Sequence, residues 1–259
     1  MRRLFSALLL FVIWQSVANA EEKCGVVFMH GKWGMPDKFI GSVVSELRDI
    51  GCLVETPEMP WSGRRLYDQP VGAGIAEIDD AVARLRSAGA TAIFVGGHSM
   101  GASAAIGYAA QRPLGLKGVL AIAPGHDPST AAFIAKLADS MQKARAMIAE
   151  GHGLDVASFD DLNGGRARTI STAAEIYFGY FDPAGFFVMP ESVLRLHVPL
   201  LWVSGDSDPL TRLGKDYVFA KAPADPHNAY IVVSADHLGT PDAAAAQIAQ
   251  WVRGVLPQN

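Results

Sequence analysis

The sequence predicts an α/β fold, a mostly parallel sheet with helices packed on both of its faces. Two observations lead to this prediction. Short apolar runs alternate along the chain with stretches whose apolar residues recur at helical spacing. Nearly all of these apolar runs are uninterrupted by polar residues, which is typical of parallel strands that are covered on both faces.

The predicted strands and helices follow one another in regular order. A helix over 36–50 has apolar residues at helical spacing and ends at Gly51, because glycine readily terminates a helix. A second helix over 75–87 and a closing helix over 241–255 show the same spacing. The predicted strands are 26–29, 52–54, 92–95, 118–125, 199–205 and 229–233.

Composition favours a single globular domain. The chain has 259 residues, of which 50% are hydrophobic, so it can bury a large core. Its formal net charge of −4 gives no reason to expect nucleic acid or an anionic membrane as a partner. The sequence has no motif for a metal or cofactor site, so we expect neither, and it leaves the oligomeric state open.

The alternation of strands and helices is interrupted between about 126 and 197, where no strand is evident. This segment reads as a helix over 128–150, a polar loop over 151–165 and a second helix over 169–181. Its aromatic residues form either the lining of an apolar pocket or the core of the inserted segment itself. They are Tyr177, Phe178, Tyr180, Phe181, Phe186 and Phe187.

Residues 1–20 have the features of a secretory signal peptide. A basic start is followed by an apolar run over 4–14, and the segment ends in an A-x-A pattern. The run is short for a membrane span, so cleavage after Ala20 is favoured over an uncleaved membrane anchor. We therefore expect a periplasmic or secreted protein with no stable membrane span after cleavage.

The two cysteines, Cys24 and Cys52, each stand at the start of an apolar run. If these runs form neighbouring parallel strands, both thiols lie at the same edge of the sheet, and an oxidising compartment favours a disulfide. In the chain-entropy model, closing this loop stabilises the fold by about 3–4 kcal/mol. Two unpaired buried cysteines are the alternative.

A G-x-S-x-G pentapeptide over 97–101 connects a predicted strand to a helix over 102–110 that is rich in small residues. Glycines two residues before and two residues after Ser99 remove the Cβ atoms that would collide in a tight turn. Strand, turn and helix are the context in which this motif presents a serine hydroxyl above a sheet. On these residues the chain resembles the α/β-hydrolase superfamily, and the resemblance extends from 25 to about 255.

The resemblance implies that 21–259 form one α/β-hydrolase domain. It also implies that the segment at about 126–197 is a helical cap over the active site, inserted between the sixth and seventh strands of that fold.

The resemblance further implies a Ser-His-Asp catalytic triad. In this superfamily the serine, the acid and the histidine occur in the order Ser, Asp or Glu, His along the chain, each after the carboxyl end of a strand. Ser99, Asp208 and His237 fit this order, with Asp208 in a G-x-x-D-P pattern and Asp206 as the alternative acid. The ring of His98, inside the elbow, is expected to point away from the nucleophile.

The loop after the first strand, 30–34, corresponds to the loop that supplies one oxyanion-hole donor in this superfamily. The resemblance assigns this role to the backbone N–H of Lys32, with Trp33 as the alternative, and the second donor to the N–H of Met100. Trp33 and Trp61 are the candidate substrate-binding residues, although packing explains Trp61 equally well. His30 is interpreted as a structural residue that braces the loop.

These features together imply a serine hydrolase that cleaves a small-molecule or lipid-like carboxylic ester through an acyl-enzyme. One alternative is a peptidase or perhydrolase that uses the same triad. The other is a non-catalytic exported binding protein that retains the fold. The physiological substrate and its acyl chain length cannot be predicted from these residues.

Overall fold

The computed structural model describes residues 22–112 and 115–257, so the predicted signal peptide lies outside the described residues. In chain order the elements are β1 (Cys24–Met29), α1 (Gly41–Asp49), β2 (Leu53–Glu55), α2 (Val71–Ser87), β3 (Ala92–His98), α3 (Met100–Gln111), β4 (Leu116–Ile122), α4 (Ala131–Lys136), α5 (Ala138–Ala149), β5 (Val156–Asn163), β6 (Arg166–Ala173), α6 (Ala174–Phe181), α7 (Met189–Val193), β7 (Leu200–Gly205), β8 (Ala229–Val233) and α8 (Thr240–Val255). No described helix is long and apolar enough to cross a membrane.

Six strands form one sheet in the order β2-β1-β3-β4-β7-β8, and every neighbouring pair is parallel. Alternate residues of β1 enter different cores: Val27 packs with α2 and α3 on one face, and Phe28 packs with α1 and α8 on the other. The sheet is therefore covered on both faces, and the predicted fold class is confirmed. Parallel strands also bring all their carboxyl ends to one edge, where the loops of interest meet.

The first helix begins later than the predicted 36–50. Phe39 has a φ of 63° and a side chain that is 43% exposed, and a left-handed residue cannot belong to a right-handed helix. The helix begins at Gly41 and is followed by Gly51, whose φ is +89°. The second helix begins earlier than expected, at Val71, directly after a proline.

The inserted segment contains two strands as well as helices, so the prediction of a wholly helical cap is wrong. β5 and β6 pair as an antiparallel hairpin through a two-residue turn, Gly164 and Gly165, both with positive φ. Such a turn matches the twist of the two strands, and it is the local signal for this hairpin. The predicted helix over 128–150 is broken at Leu137 into α4 and α5. Within the described sheet the insertion lies between the fourth and fifth strands in chain order, β4 and β7.

The buried aromatic residues of the insertion belong to the core on one face of the sheet. Tyr177, Tyr180, Phe181 and Phe187 are at most 2% exposed and contact one another through their rings. None of them lines the cavity beside Ser99. The structure therefore supports packing in a core, and not the lining of an apolar pocket, as the role of these residues.

Cys24 and Cys52 form a disulfide, as predicted, with their Cα atoms 4.5 Å apart. Cys24 begins β1 and Cys52 directly precedes β2, so the bond joins an edge strand of the sheet to its neighbour at their amino ends.

Candidate active site

Ser99 occupies a tight turn between β3 and α3, with a φ of 56° and ψ of −118°. A Cβ at Gly97 would lie 2.6 Å from the backbone carbon of Gly101, and a Cβ at Gly101 would lie 2.5 Å from the carbonyl oxygen of Met29. Both glycines are therefore required for the close approach of β1, β3 and α3. The turn holds the serine hydroxyl at the carboxyl edge of the sheet.

Ser99, His237 and Asp208 are connected by hydrogen bonds. The Ser99 hydroxyl donates to Nε2 of His237 at 3.0 Å, and Nδ1–H of His237 donates to Oδ2 of Asp208 at 2.7 Å. Asp208 is buried, and its other oxygen accepts the backbone N–H of Leu210 at 2.8 Å. Asp206 is exposed and accepts from Ser207 and Ala235 instead. The structure thus brings together the three residues chosen from the sequence and places the alternative acid outside the array.

His98 contacts His237 directly, which the sequence does not reveal. Its Nε2–H donates to the backbone oxygen of His237 at 2.9 Å, and the two ring centroids are 4.9 Å apart. Burial, together with the charge of His237, lowers the pKa of His98 to about 4. His98 is therefore neutral at physiological pH and holds the loop that carries His237.

The loop after β1 lies against the nucleophile. A Cβ at Gly31 would be 3.1 Å from the Cβ of Ser99, so the next peptide N–H, that of Lys32, is close to the serine. The N–H of Trp33 donates to the backbone oxygen of Trp61 at 2.9 Å, which removes Trp33 as the alternative oxyanion donor. Met100 opens α3, where backbone N–H groups have no partner within the helix.

His30 braces the loop after β1 through two hydrogen bonds, as expected from the sequence. Its Nδ1–H donates to the carbonyl of Gly31 at 2.8 Å, and its Nε2 accepts the N–H of Met59 at 3.1 Å. Burial lowers the pKa of His30, which keeps the ring neutral and able to make both bonds.

The side chain of Lys32 is buried in an ion pair that sequence patterns do not reveal. Its Nζ lies 2.6 Å from Oδ1 of Asp161 on β5, and the two side chains are 3% and 0% exposed. Oδ2 of Asp161 accepts the indole N–H of Trp33 at 2.8 Å and the hydroxyl of Tyr67 at 2.7 Å. Burial lowers the pKa of Lys32, and the neighbouring carboxylate opposes that shift.

Neither predicted substrate-binding tryptophan lines the cavity beside Ser99. Trp61 is 2% exposed, donates its indole N–H to the backbone of His30 and meets Phe187 edge to face. Trp33 is bound to Asp161 through its indole. Both indoles therefore hold the loops around the serine in place and do not form part of the cavity wall.

A cavity of about 330 Å³ opens beside Ser99 and His237, between the sheet edge and the insertion. Gly125 forms its wall at the serine, because a Cβ there would lie 2.8 Å from the Ser99 hydroxyl oxygen. His126 and Asp127 follow it in the wall, and both are 1% exposed.

His126 and Asp127 each retain one buried polar atom without a partner, Nδ1 and Oδ2 respectively. Nε2–H of His126 donates to the carbonyl of Tyr180, so its Nδ1 is an acceptor. Burial places the pKa of His126 well below its usual value and raises that of Asp127. Both unpartnered atoms are buried, so a ligand in the cavity cannot contact them unless the wall moves.

Within 22–112 and 115–257, no group of three or more His, Cys, Asp or Glu side chains is arranged to hold a metal ion. The described cavity presents the serine, the imidazole and their neighbouring hydrogen-bond donors to a ligand.

Solved structures similar to this chain share its architecture. One belongs to the work on LipS and LipT, two metagenome-derived lipolytic enzymes. Its sequence is 15% identical to this chain, the match covers 90% of this chain and 93% of that chain, and the TM-score is 0.62. The monoacylglycerol lipase of Paleococcus ferrophilus has 18% identity, coverages of 90% and 98%, and a TM-score of 0.62. The chain has the α/β-hydrolase fold.

A third similar α/β-hydrolase structure is that of Est1E from Butyrivibrio proteoclasticus with bound ferulic acid. It has 18% identity, covers 91% of this chain and 90% of that chain, and has a TM-score of 0.59. The sequence itself matches no protein-family model and no curated protein. At these identities the likeness concerns the α/β-hydrolase fold, and the chemistry has to be argued from the site.

Proposed function

We propose that this protein is a serine hydrolase that cleaves carboxylic esters. The observation that carries the proposal is the continuous hydrogen-bonded array from the Ser99 hydroxyl through His237 to the buried carboxylate of Asp208. Structures described as lipolytic enzymes and as a monoacylglycerol lipase share the fold, which supports esters as the substrate class.

In the acylation step His237 takes the proton of Ser99 on Nε2 while the serine oxygen attacks the ester carbonyl carbon. Asp208 keeps the proton of the imidazole on Nδ1 and stabilises the imidazolium that forms. The imidazolium then gives its Nε2 proton to the departing alkoxide, which leaves as the alcohol. Water repeats the sequence on the acyl-enzyme, so that the acid is released and Ser99 regains its proton.

The tetrahedral intermediates carry a negative oxygen that needs hydrogen-bond donors. In our proposal these donors are the backbone N–H groups of Lys32 and Met100, which flank Ser99 on the β1 loop and at the start of α3. The loss of one such donor typically slows turnover by about 10²–10³.

The decisive test uses Ser99→Ala against a matched control, Ser103→Ala. Ser103 is also buried and lies one helical turn away, but its hydroxyl is directed at the carbonyl of Ser99 at 3.4 Å rather than at His237. We expect Ser99→Ala to abolish p-nitrophenyl ester hydrolysis and fluorophosphonate labelling, and Ser103→Ala to retain both. A wild-type protein that is folded yet neither labels nor turns over any ester would favour a non-catalytic binding protein.

Export is the proposed location. The disulfide between Cys24 and Cys52 fits an oxidising compartment, and the amino-terminal sequence has the form of a signal peptide. Mass spectrometry of the protein after expression in a bacterium with a periplasm would test this. We expect a chain that begins at Glu21, and full-length protein in the cytoplasmic fraction would contradict export.

A further inference from the structure

The hairpin of the insertion binds the β1 loop at four points. Asp161 accepts hydrogen bonds from the ammonium of Lys32 and the indole of Trp33, as described above. The ammonium also donates to the carbonyl of Leu162 at 3.0 Å. The amide of Asn163 donates to the backbone carbonyl of Lys32 at 3.2 Å.

These contacts fix the backbone at Lys32. Asn163 holds the carbonyl of Lys32, and Asp161 holds its side chain, so the groups that follow the N–Cα bond of Lys32 are fixed. The peptide before that bond carries the N–H of Lys32, the proposed oxyanion donor, and its Gly31 carbonyl accepts from Nδ1–H of His30. With both sides of the bond held, the direction of the N–H is fixed as well. A donor fixed in advance stabilises a developing charge better than one that must reorient.

We propose that Asp161, assisted by Asn163, is a positioning residue that aims the Lys32 N–H at the reacting carbonyl oxygen and so makes the insertion part of the catalytic apparatus. This inference rests on the proposed function. Asp161 is not among the residues that line the cavity beside Ser99 and acts through Lys32. Its contact with Tyr67 fixes the carboxylate itself against the loop before α2.

The test compares Asp161→Asn with Asp160→Asn, its neighbour on the same strand. Successive strand residues face opposite sides, and Asp160 is exposed, its carboxylate touched by the hydroxyl of Thr169 at 3.3 Å. Asparagine has the shape of aspartate but lacks the charge that pairs with Lys32. We expect kcat of Asp161→Asn to fall about tenfold to a hundredfold at nearly constant KM, because complete loss of an oxyanion donor costs about 10²–10³. Asp160→Asn should match the wild type.

A second readout separates positioning from a merely structural role. A trifluoromethyl ketone forms a tetrahedral adduct whose oxyanion needs the same donors, whereas the neutral alcohol product has no negative oxygen to place there. In Asp161→Asn, affinity for the ketone should fall by the same factor as kcat, while affinity for the alcohol product stays within about twofold. Equal losses for both ligands, or kcat equal to that of Asp160→Asn, would overturn the proposal.

Two further variants keep the test decisive if Asp161→Asn does not fold. Lys32→Met combined with Asp161→Asn removes both charges, so no unpaired charge is buried. Asn163→Ala removes the contact to the Lys32 carbonyl without touching the ion pair, although it also shortens one side chain of the cavity wall. Both should lose kcat and ketone affinity in parallel, and wild-type values in these variants would refute the proposal.

Fluorophosphonate labelling distinguishes this failure from failure of the proposed function. If the wild-type protein labels at Ser99 but the variants keep full activity, only the positioning role is lost. If the wild-type protein neither labels nor hydrolyses esters, the hydrolase proposal itself fails.

Discussion

The cavity wall approaches the nucleophile closely at Gly125, and Gly125→Ala gives the most direct test of the site geometry. The added Cβ would lie 2.8 Å from Oγ of Ser99, 3.1 Å from Leu210 and 3.2 Å from Cε1 of His237. An ordinary contact needs about 3.4 Å or more, so the serine oxygen has to move by about 0.6 Å. The φ of Gly125 is not in the left-handed region, so the backbone itself accepts alanine.

The serine can relieve this contact only by rotating its hydroxyl away from His237, from which Oγ is now 3.0 Å away. General-base assistance contributes about 10²–10⁴-fold, and misplacement by about 1 Å costs about 10²-fold. We therefore expect kcat/KM to fall tenfold to a hundredfold, about 1.4–2.7 kcal/mol of transition-state stabilisation.

The matched control for this variant is Gly72→Ala. Gly72 lies in α2, and a Cβ added there would have nothing within 4 Å, so alanine should leave activity unchanged and stabilise the helix by about 0.5–1 kcal/mol. Initial rates on p-nitrophenyl acetate, normalised to active sites counted by fluorophosphonate, measure both variants. Wild-type kcat/KM in Gly125→Ala would refute the placement of Ser99 and His237 described here.

Three further predictions concern the acid, the buried histidines and the disulfide. Asp208→Asn should lower kcat by about 10⁴ because the imidazole loses its fixed tautomer, while Asp206→Asn, at the exposed site, should retain activity; equal losses would contradict the choice of acid. The pKa values of His98 and His126 are lowered by burial, so below pH 6.5 the unfolded chain binds more protons than the folded chain, and stability falls as pH falls. Together they should reduce the free energy of unfolding by about 3 kcal/mol between pH 7.5 and 5.5, and unchanged urea midpoints would count against their burial. Replacing both cysteines with serine should cost about 3–4 kcal/mol in the same urea assay without changing kcat, and a stability equal to that of the wild type would contradict the disulfide.

Those parts of the fold that have a local signature could be predicted from the sequence. The strands of the parallel sheet are apolar on both faces, so runs such as that around Val95 stand out. The elbow at Ser99 is also local, because the glycines that permit it lie two residues away on either side. The acid and the histidine could be chosen because the resemblance to the α/β-hydrolase superfamily implies their order along the chain, and parallel strands bring their carboxyl ends to one edge.

The hairpin of the insertion could not be recognised so readily. β5 alternates between exposed and buried positions, but its inward residues include Asp161 beside Phe159, so hydrophobicity alone shows no period of two. The pair Gly164-Gly165 is the available signal, but it lies at the end of a polar stretch that favours a loop. The contact of His98 with His237 escapes prediction for a related reason, since it joins residues far apart in the chain.

The buried ion pair of Lys32 and Asp161 is weak as a device for stability. Transfer of two charges out of water costs several kcal/mol for each ion, and apolar residues of similar size often stabilise a fold as much or more. The pair instead fixes the orientation of the segments around it. The Asp161 carboxylate accepts from Lys32, Trp33 and Tyr67 at once, and these three bonds can form in only one arrangement of the segments that carry the donors. An apolar contact in this place would allow the β1 loop to slide and the Lys32 N–H to turn. The cost of burying these charges is therefore best explained by the orientation of the backbone beside Ser99.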